Sequence, residues 1–315
     1  MDYTTYIKEI GRGRHAARSL ARSDALALAR AILAGEVPDL ELGAVLLAFR
    51  MKGESPDEIA GFAEAAHEVT HELQAPAGDA APVIVPAYNG ARKLPNLTPL
   101  LACALATRGL PVLVHGVRED PGRVTTREVF AAMGVAPAVC MEEASTRLAR
   151  EGLAFVPIDV LAPPVARVLG YRRVLGVRNT LHSVVKLLQP FAGPALRIVS
   201  VTHPDYLALM REHFAREGGH AQLLRGAEGE AVASVRRSPD IEWWHDGGKV
   251  DSGMVQPAAE GETALPGRDA SDTARWIARV LSGELPMPAT IAYQIELAQR
   301  AARSLRATKQ MVAPS

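Results

Sequence analysis

The sequence predicts an α/β protein in which a small helical N-terminal domain precedes a larger α/β domain with a mainly parallel central sheet flanked by helices. Two observations predict this class. Residues 3–73 show only helix-type periodicity, whereas short apolar runs alternate with helical segments after residue 80. A linker rich in Pro, Gly and Ala, residues 74–82, separates the two patterns. At 315 residues the chain has room for two domains.

The N-terminal part contains several helix signals. Leu26, Ala29 and Leu33 recur at helical spacing and so mark one apolar face. Ser55 and Pro56 open a further helix with acidic residues in its first turn. We therefore predict a helical domain over residues 1–75.

The rest of the chain reads as an α/β domain over residues 80–315. A helix over residues 97–108 separates the first two apolar runs, and a helix over 291–309 closes the chain. Residues 170–189 are helical in character, and we expect this excursion to join the N-terminal helical domain. The predicted strands are residues 83–85, 112–114, 154–158, 196–201, 221–224 and 231–234.

Charge is balanced over the whole chain but not along it. The 35 basic and 35 acidic residues give no overall excess that would indicate nucleic-acid binding. Residues 80–118, however, carry four Arg or Lys and no acid, and residues 160–204 carry six and no acid. Turn amides and helix N-termini add to such side-chain charge, so this distribution favours an anionic partner, either a small phosphate or a polymer.

Other features exclude several classes of protein. Cys103 and Cys140 are too few and too far apart for a disulfide framework or a thiolate metal site. His67 and His71 share a helix face at a metal-compatible spacing but lack a third ligand, so we predict no metal site. No apolar run approaches the roughly 18 residues of a membrane span. We expect a cytoplasmic protein without a membrane partner.

Three motifs in order carry a family resemblance. They are residues 88–93 (Tyr-Asn-Gly-Ala-Arg-Lys) with residues 96–101, residues 114–118 (Val-His-Gly-Val-Arg), and residues 176–183. The chain resembles the anthranilate-type phosphoribosyltransferases of glycosyltransferase family 3 over nearly its whole length. It is more similar still to the TrpD-like YbiB branch of that superfamily, and this resemblance implies DNA binding. The resemblance implies a homodimer formed through the helical domain, residues 1–75, and a working cleft at the hinge between the domains.

The chain departs from the enzymes at the residues that would carry their chemistry. Their Gly-Thr-Gly-Gly-Asp phosphate loop becomes Pro-Ala-Tyr-Asn-Gly at residues 86–90, where a proline and a bulky tyrosine hinder the approach of a pyrophosphate. Their acidic magnesium pair falls on Ala231 and Val232, which cannot ligate a hard cation. Glu228 and Glu230 would substitute only after a register shift.

The resemblance therefore implies a degenerate substrate cleft with no catalytic residues, no metal and no cofactor. Magnesium is expected only if transferase activity persists. Whether Tyr88 is buried or stacks on an exposed base stays open. The cleft residues are Tyr88, Asn89, Gly90, Asn96, Thr98, His115 and Gly116.

We predict non-specific binding of nucleic acid, mainly DNA but also RNA, through contacts to the phosphate backbone. An alternative is that these basic side chains pair with acids of the fold. Two other functions compete: a phosphoribosyltransferase acting on an aromatic acceptor, and a module that binds a small phosphorylated metabolite. The predicted phosphate contacts are Arg92, Lys93, Arg118, Arg123, Arg172, Arg173, Arg178 and Lys186.

Overall fold

The structure is a computed structural model that describes residues 2–13, 16–237, 240–255 and 264–312. Within these residues, no helix combines the length and apolar character needed to cross a membrane.

The chain forms two compact units. Unit 1 comprises Met1–His71 and Leu161–Pro190, and unit 2 comprises Glu72–Val160 and Phe191–Ser315. The helical excursion thus begins at Leu161, earlier than the predicted residue 170.

Four helices form the N-terminal part of unit 1. The predicted start at Ser55 is a capping box, in which the Ser55 hydroxyl accepts a hydrogen bond from the Glu58 amide and the Glu58 carboxylate accepts one from the Ser55 amide. The helices are α1 (Tyr3–Ile10), α2 (Arg22–Ala34), α3 (Asp39–Lys52) and α4 (Pro56–Glu68).

The first half of unit 2 alternates strands and helices. Strands β1 and β2 are buried at every position, as expected for parallel strands covered on both faces. The elements are β1 (Val83–Ala87), α5 (Thr98–Ala106), β2 (Val112–Gly116), α6 (Thr126–Ala132), α7 (Met141–Glu151) and β3 (Leu153–Pro157).

The excursion then supplies short helices to unit 1. The Arg167 guanidinium donates to the carbonyls of Ile32 and Leu33 at 2.9 and 2.8 Å and so caps the end of α2. His67 accepts from the Gln189 amide at 3.0 Å through Nε2, and its Nδ1 lies 2.7 Å from the Ala63 carbonyl, so both ring nitrogens serve the fold. Helix α8 (Ile158–Leu161) follows β3 and leads into the excursion, whose helices are α9 (Pro163–Gly170), α10 (Arg172–Leu175) and α11 (Leu181–Val184).

The second half of unit 2 completes a seven-stranded sheet in the order β3-β2-β1-β4-β5-β6-β7. The first five strands are parallel, and the last two pair antiparallel at one edge, which confirms the predicted fold class. The remaining elements are β4 (Leu196–Ser200), α12 (Pro204–Glu217), β5 (His220–Leu224), β6 (Asp240–His245), β7 (Gly248–Met254), α13 (Ala270–Leu281) and α14 (Ala289–Val312).

One predicted strand was wrong and two were missed. Residues 231–234 are buried but form no strand, because the Gln294 side chain takes their backbone groups. Its Oε1 accepts from the Ala233 amide at 2.7 Å, and its Nε2 donates to the Ala231 carbonyl at 2.8 Å. The missed strands, β6 and β7, follow this segment.

Candidate functional site

Two loops meet at the edge of the sheet where parallel strands end. The β1 loop (residues 88–94) follows β1, and the β5 loop (residues 225–230) follows β5. The Asn89 side-chain amide donates to the Glu228 carbonyl at 3.3 Å. A Cβ on Gly229, whose φ is +85°, would lie 1.8 Å from Asn89 Nδ2, so only glycine allows this approach.

Glu230 places a buried carboxylate against the start of the β1 loop. Its Oε1 accepts from the amides of Asn89 and Gly90 at 2.6 and 2.5 Å, and its Oε2 accepts from the hydroxyls of Thr98 and Thr126 at 3.2 and 3.3 Å. The residue is 2% exposed. These four bonds fill the acceptor capacity of a carboxylate.

Glu228 binds the end of the same loop. Its carboxylate accepts from the amides of Arg92, Lys93 and Leu94 over 2.9–3.1 Å. Burial acts to raise the pKa of Glu228, but these three amides, aided by the charge of Arg123, lower it below its ordinary value. The backbone of Glu228 is left-handed at φ +51°, a conformation that non-glycine residues rarely adopt.

The β1 loop therefore donates five backbone amides to the protein's own carboxylates. A phosphate at these amides would first have to displace a glutamate, which is also an anion. The set offers little to magnesium, because Glu230 has no lone pair left for a metal and only Oε1 of Glu228, which accepts the Lys93 amide alone, retains one. Ala231 and Val232, where the resemblance places the family's metal pair, are buried aliphatic residues.

Tyr88 and His115 form a buried pair. The tyrosine Oη lies 2.5 Å from His115 Nδ1, and the rings meet edge to face. Burial raises the pKa of Tyr88 well above its ordinary value and lowers the pKa of His115 to about 3. Both groups are thus neutral at pH 7 and share one hydrogen bond. Because Tyr88 is 4% exposed, it is the buried tyrosine of the two alternatives and not a base-stacking platform.

Asn96 and Gly116 hold the backbone next to the site in place. Asn96 accepts from the Thr98 amide at 3.2 Å and donates to the Val124 carbonyl at 3.1 Å, which fixes the start of α5 against the neighbouring loop. A Cβ on Gly116 would lie 2.2 Å from the Ala87 carbonyl oxygen, so close strand pairing requires glycine there. These predicted cleft residues serve the structure.

The four predicted cations of unit 2 have different environments. Arg92 and Lys93 are exposed, and their backbone amides are held by Glu228. Arg123 donates to the Gly90 carbonyl at 3.2 Å. Arg118 instead forms a two-pronged ion pair with Asp159 at 2.9–3.0 Å, as the alternative of pairing with an acid of the fold predicts.

Sequence reasoning missed several cations at these loops, and two of them bond to loop carbonyls. Arg268 donates to the Arg92 carbonyl at 2.7 Å, and Arg237 donates to the Gly226 carbonyl at 3.0 Å. Neither lies in an acid-free segment, and Arg268 is 176 residues from its partner.

The other four predicted cations lie in unit 1. Burial, followed by the charges of Arg178 and Arg172, lowers the pKa of His182 to about 3, and Lys186 adds to the effect. Three cations thus act on one imidazole, which the sequence analysis did not select. Lys186 itself is buried, whereas Arg173 is exposed. The second acid-free segment is divided between the units, because residues 191–204 belong to unit 2.

Comparisons with known proteins agree with this architecture. The helical bundle domain of a glycosyl transferase family matches residues 4–69, and the a/b domain of that family matches residues 90–310. Escherichia coli (strain K12) YbiB is 44% identical over 296 residues, covering 94% of this chain and 92% of that protein. The anthranilate phosphoribosyltransferase of Pyrobaculum arsenaticum is 29% identical over 289 residues, covering 90% and 83%.

Solved structures show the same fold. The anthranilate phosphoribosyltransferase of Thermus thermophilus superposes with a TM-score of 0.75 at 24% identity, covering 98% of this chain and 90% of that one. The Saccharomyces cerevisiae enzyme in complex with PRPP and Mg gives 0.69 at 14% identity, covering 98% and 95%. With both domains and nearly the full length matched, the chain belongs to glycosyltransferase family 3, on its TrpD-like YbiB branch.

Proposed function

We propose that this protein binds nucleic acid without sequence preference, through cations carried on a phosphoribosyltransferase-type scaffold. One observation carries the proposal. The β1 loop keeps its amides for Glu228 and Glu230, while the side chains of Arg92 and Lys93 stay exposed at the same loop. The loop is thus closed to a buried pyrophosphate but presents charge to an external phosphate chain.

Electrostatics disfavours the enzymatic use of the loop. A pyrophosphate placed against Glu228 and Glu230 would add negative charge beside two carboxylates in a partly dehydrated site, where like charges repel more strongly than in water. In the related enzymes a metal offsets such charge, but here Glu230 has no lone pair free to hold one. The surviving scaffold supports binding better than group transfer.

Phosphate contacts alone account for the type of binding we expect. Arg and Lys bind backbone phosphates of any sequence, and the released counterions make the affinity fall with salt. In unit 2 the contributing side chains would be Arg92, Lys93, Arg123, Arg237 and Arg268. Unit 1 would contribute exposed Arg173 with Arg172 and Arg178.

A homodimer is the second part of the proposal, and α3 supports it. Leu40, Leu47 and Met51 are 84%, 45% and 73% exposed, and with exposed Ala44 they follow a spacing of four, three and four residues. That spacing is the apolar seam of a helix that pairs with another helix. A second copy of the chain would present the same stripe, and a dimer would double the phosphate contacts on one nucleic acid.

Light scattering after gel filtration tests the dimer. Leu47→Glu places a charge in the stripe and should shift the protein toward a monomer. Leu281→Glu, at an exposed leucine of unit 2, is the matched control and should leave the mass unchanged. A wild-type protein that elutes as a monomer would refute this part.

Fluorescence anisotropy tests nucleic-acid binding at one fixed, low salt concentration. Labelled single-stranded DNA, double-stranded DNA and RNA are titrated with wild type, with Arg92→Ala/Lys93→Ala and with Arg173→Ala. Lys249→Ala, at an exposed lysine of β7, is the control. We expect weaker binding by the first two variants only. Absence of binding by wild type, or equal loss in the control, would overturn the proposal.

The second candidate is an anthranilate-type phosphoribosyltransferase. It is favoured by the similarity to anthranilate phosphoribosyltransferases and by His115, whose buried Nε2 has no hydrogen-bond partner among the described residues. Loss of anthranilate fluorescence on addition of PRPP and Mg²⁺ would establish it. One-to-one binding of a nucleotide, unaffected by competing DNA, would instead indicate a module for a small phosphorylated metabolite.

A further inference from the structure

A cluster of metal-ligating side chains lies at the antiparallel edge of the unit 2 sheet. His220 is the first residue of β5, His245 is the last residue of β6, and Asp246 begins the turn to β7. His220 and His245 are register partners, so both side chains leave the same face of the sheet. Their rings lie 4.7 Å apart with 27° between their planes.

The distances suit a small metal ion. His220 Nδ1 lies 3.7 Å from one Asp246 carboxylate oxygen, and His245 Nε2 lies 3.6 Å from the other. One ligand atom from each of the three residues lies within 4.8 Å of the others. Bonds of about 2.1 Å around a tetrahedral zinc ion hold its ligand atoms about 3.4 Å apart. Small movements of three side chains would therefore close the site.

The turn fixes the backbone of Asp246. Asp246 and Gly247 have φ angles of +43° and +85°, as a two-residue Asp-Gly hairpin turn requires. The Asp246 amide donates to the Gly219 carbonyl at 2.9 Å, which ties the turn to the residue before β5. Asp246 is exposed and both histidines are partly buried, so an ion has access and a water ligand has room.

We propose that His220, His245 and Asp246 bind a divalent transition-metal ion of the zinc class, with water in the remaining position. Two imidazoles and one carboxylate are the donors that zinc accepts, whereas magnesium prefers oxygen ligands alone. The nearby Arg197 guanidinium opposes a cation, and the Asp246 carboxylate offsets that charge. None of these residues belongs to the two loops, so this site is independent of the proposed function.

Metal titration of untagged, chelator-stripped, full-length protein tests the site. Isothermal titration with Zn²⁺ measures stoichiometry and affinity, and Co²⁺ absorption reports the coordination number. The variants are His245→Gln and Asp246→Asn. His203→Gln is the matched control, because His203 is exposed at the start of α12. All three tryptophans lie in unit 2, so their emission checks that each variant is folded.

We expect one Zn²⁺ per chain and a four-coordinate Co²⁺ spectrum. Each ligand variant should weaken binding at least ~10-fold, since even the loss of an outer-shell partner costs that much. The His203→Gln control should bind as wild type does. Absence of saturable binding, or equal binding by folded ligand variants, would show that the three side chains are only neighbours and would overturn the proposal.

Discussion

Replacing Glu230 by alanine should lower the free energy of unfolding of unit 2 by more than a substitution at an exposed position does. The change removes the carboxylate that accepts the amides of Asn89 and Gly90 and the hydroxyls of Thr98 and Thr126. The side chain is almost wholly buried, so these donors lose their acceptor inside the protein.

The magnitude follows from the two amides. A hydrogen bond to a charged group contributes about 1.5–3 kcal/mol, so losing both amide bonds costs about 3–6 kcal/mol. We expect about 3 kcal/mol, the lower end, because water can enter the vacated space and the cost of burying the carboxylate disappears as well. The hydroxyls can rotate toward other acceptors and add little.

Urea unfolding followed by tryptophan emission measures this loss. Trp243, Trp244 and Trp276 all lie in unit 2, so the signal reports that unit. Glu296→Ala, at an exposed glutamate of α14, is the control and should change the free energy of unfolding by less than about 0.5 kcal/mol. An equal effect of the two substitutions would refute the account of Glu230 as the anchor of the β1 loop.

Three further predictions concern residues at the ends of β1 and β2. Tyr88→Phe removes the hydrogen bond to His115 and should cost about 1 kcal/mol in urea unfolding, whereas no loss would contradict that bond. Burial lowers the pKa of His115 to about 3, so the folded protein keeps this imidazole neutral while the unfolded chain takes up a proton below pH 6.5. The free energy of unfolding should therefore fall by about 2 kcal/mol between pH 7 and pH 5. This fall with pH should be absent in His115→Gln, and identical pH profiles of wild type and the variant would refute the prediction. Gly116→Ala places a Cβ against the Ala87 carbonyl and should cost about 1–3 kcal/mol of unfolding free energy by the same assay; a wild-type midpoint would show that the strands can separate freely.

Local sequence signals predicted the parallel core well. The apolar runs that became β1, β2 and β3 are short, bounded by turn residues and buried on both faces, so periodicity and composition agree there. The strand predicted at residues 231–234 shows the limit of this reasoning. The apolar residues of this segment are buried, as their composition predicts. The side chain of Gln294, some sixty residues later, bonds the backbone groups that a strand would need.

The candidate site was predictable only in part for the same reason. The loop at residues 88–93 stands out in the sequence, and its missing glycines show that the enzyme's loop has changed. The glutamates that occupy the loop amides could not be predicted from the sequence. Glu228 and Glu230 are about 140 residues from the amides whose hydrogen bonds they accept. Arg118 was likewise predicted to contact phosphate, but in the fold it forms an ion pair with Asp159. Long-range partners of charged groups are set by topology, which local patterns do not encode.

The salt dependence of DNA binding tests the central claim most directly. The logarithm of the association constant is measured against the logarithm of salt concentration for wild type and for Arg92→Ala/Lys93→Ala on the same duplex. Each lost phosphate contact lowers the slope by about 0.9, so the double variant should fall short of wild type by about 1.8. A slope near zero for wild type, or the same slope for both proteins, would contradict binding through these side chains.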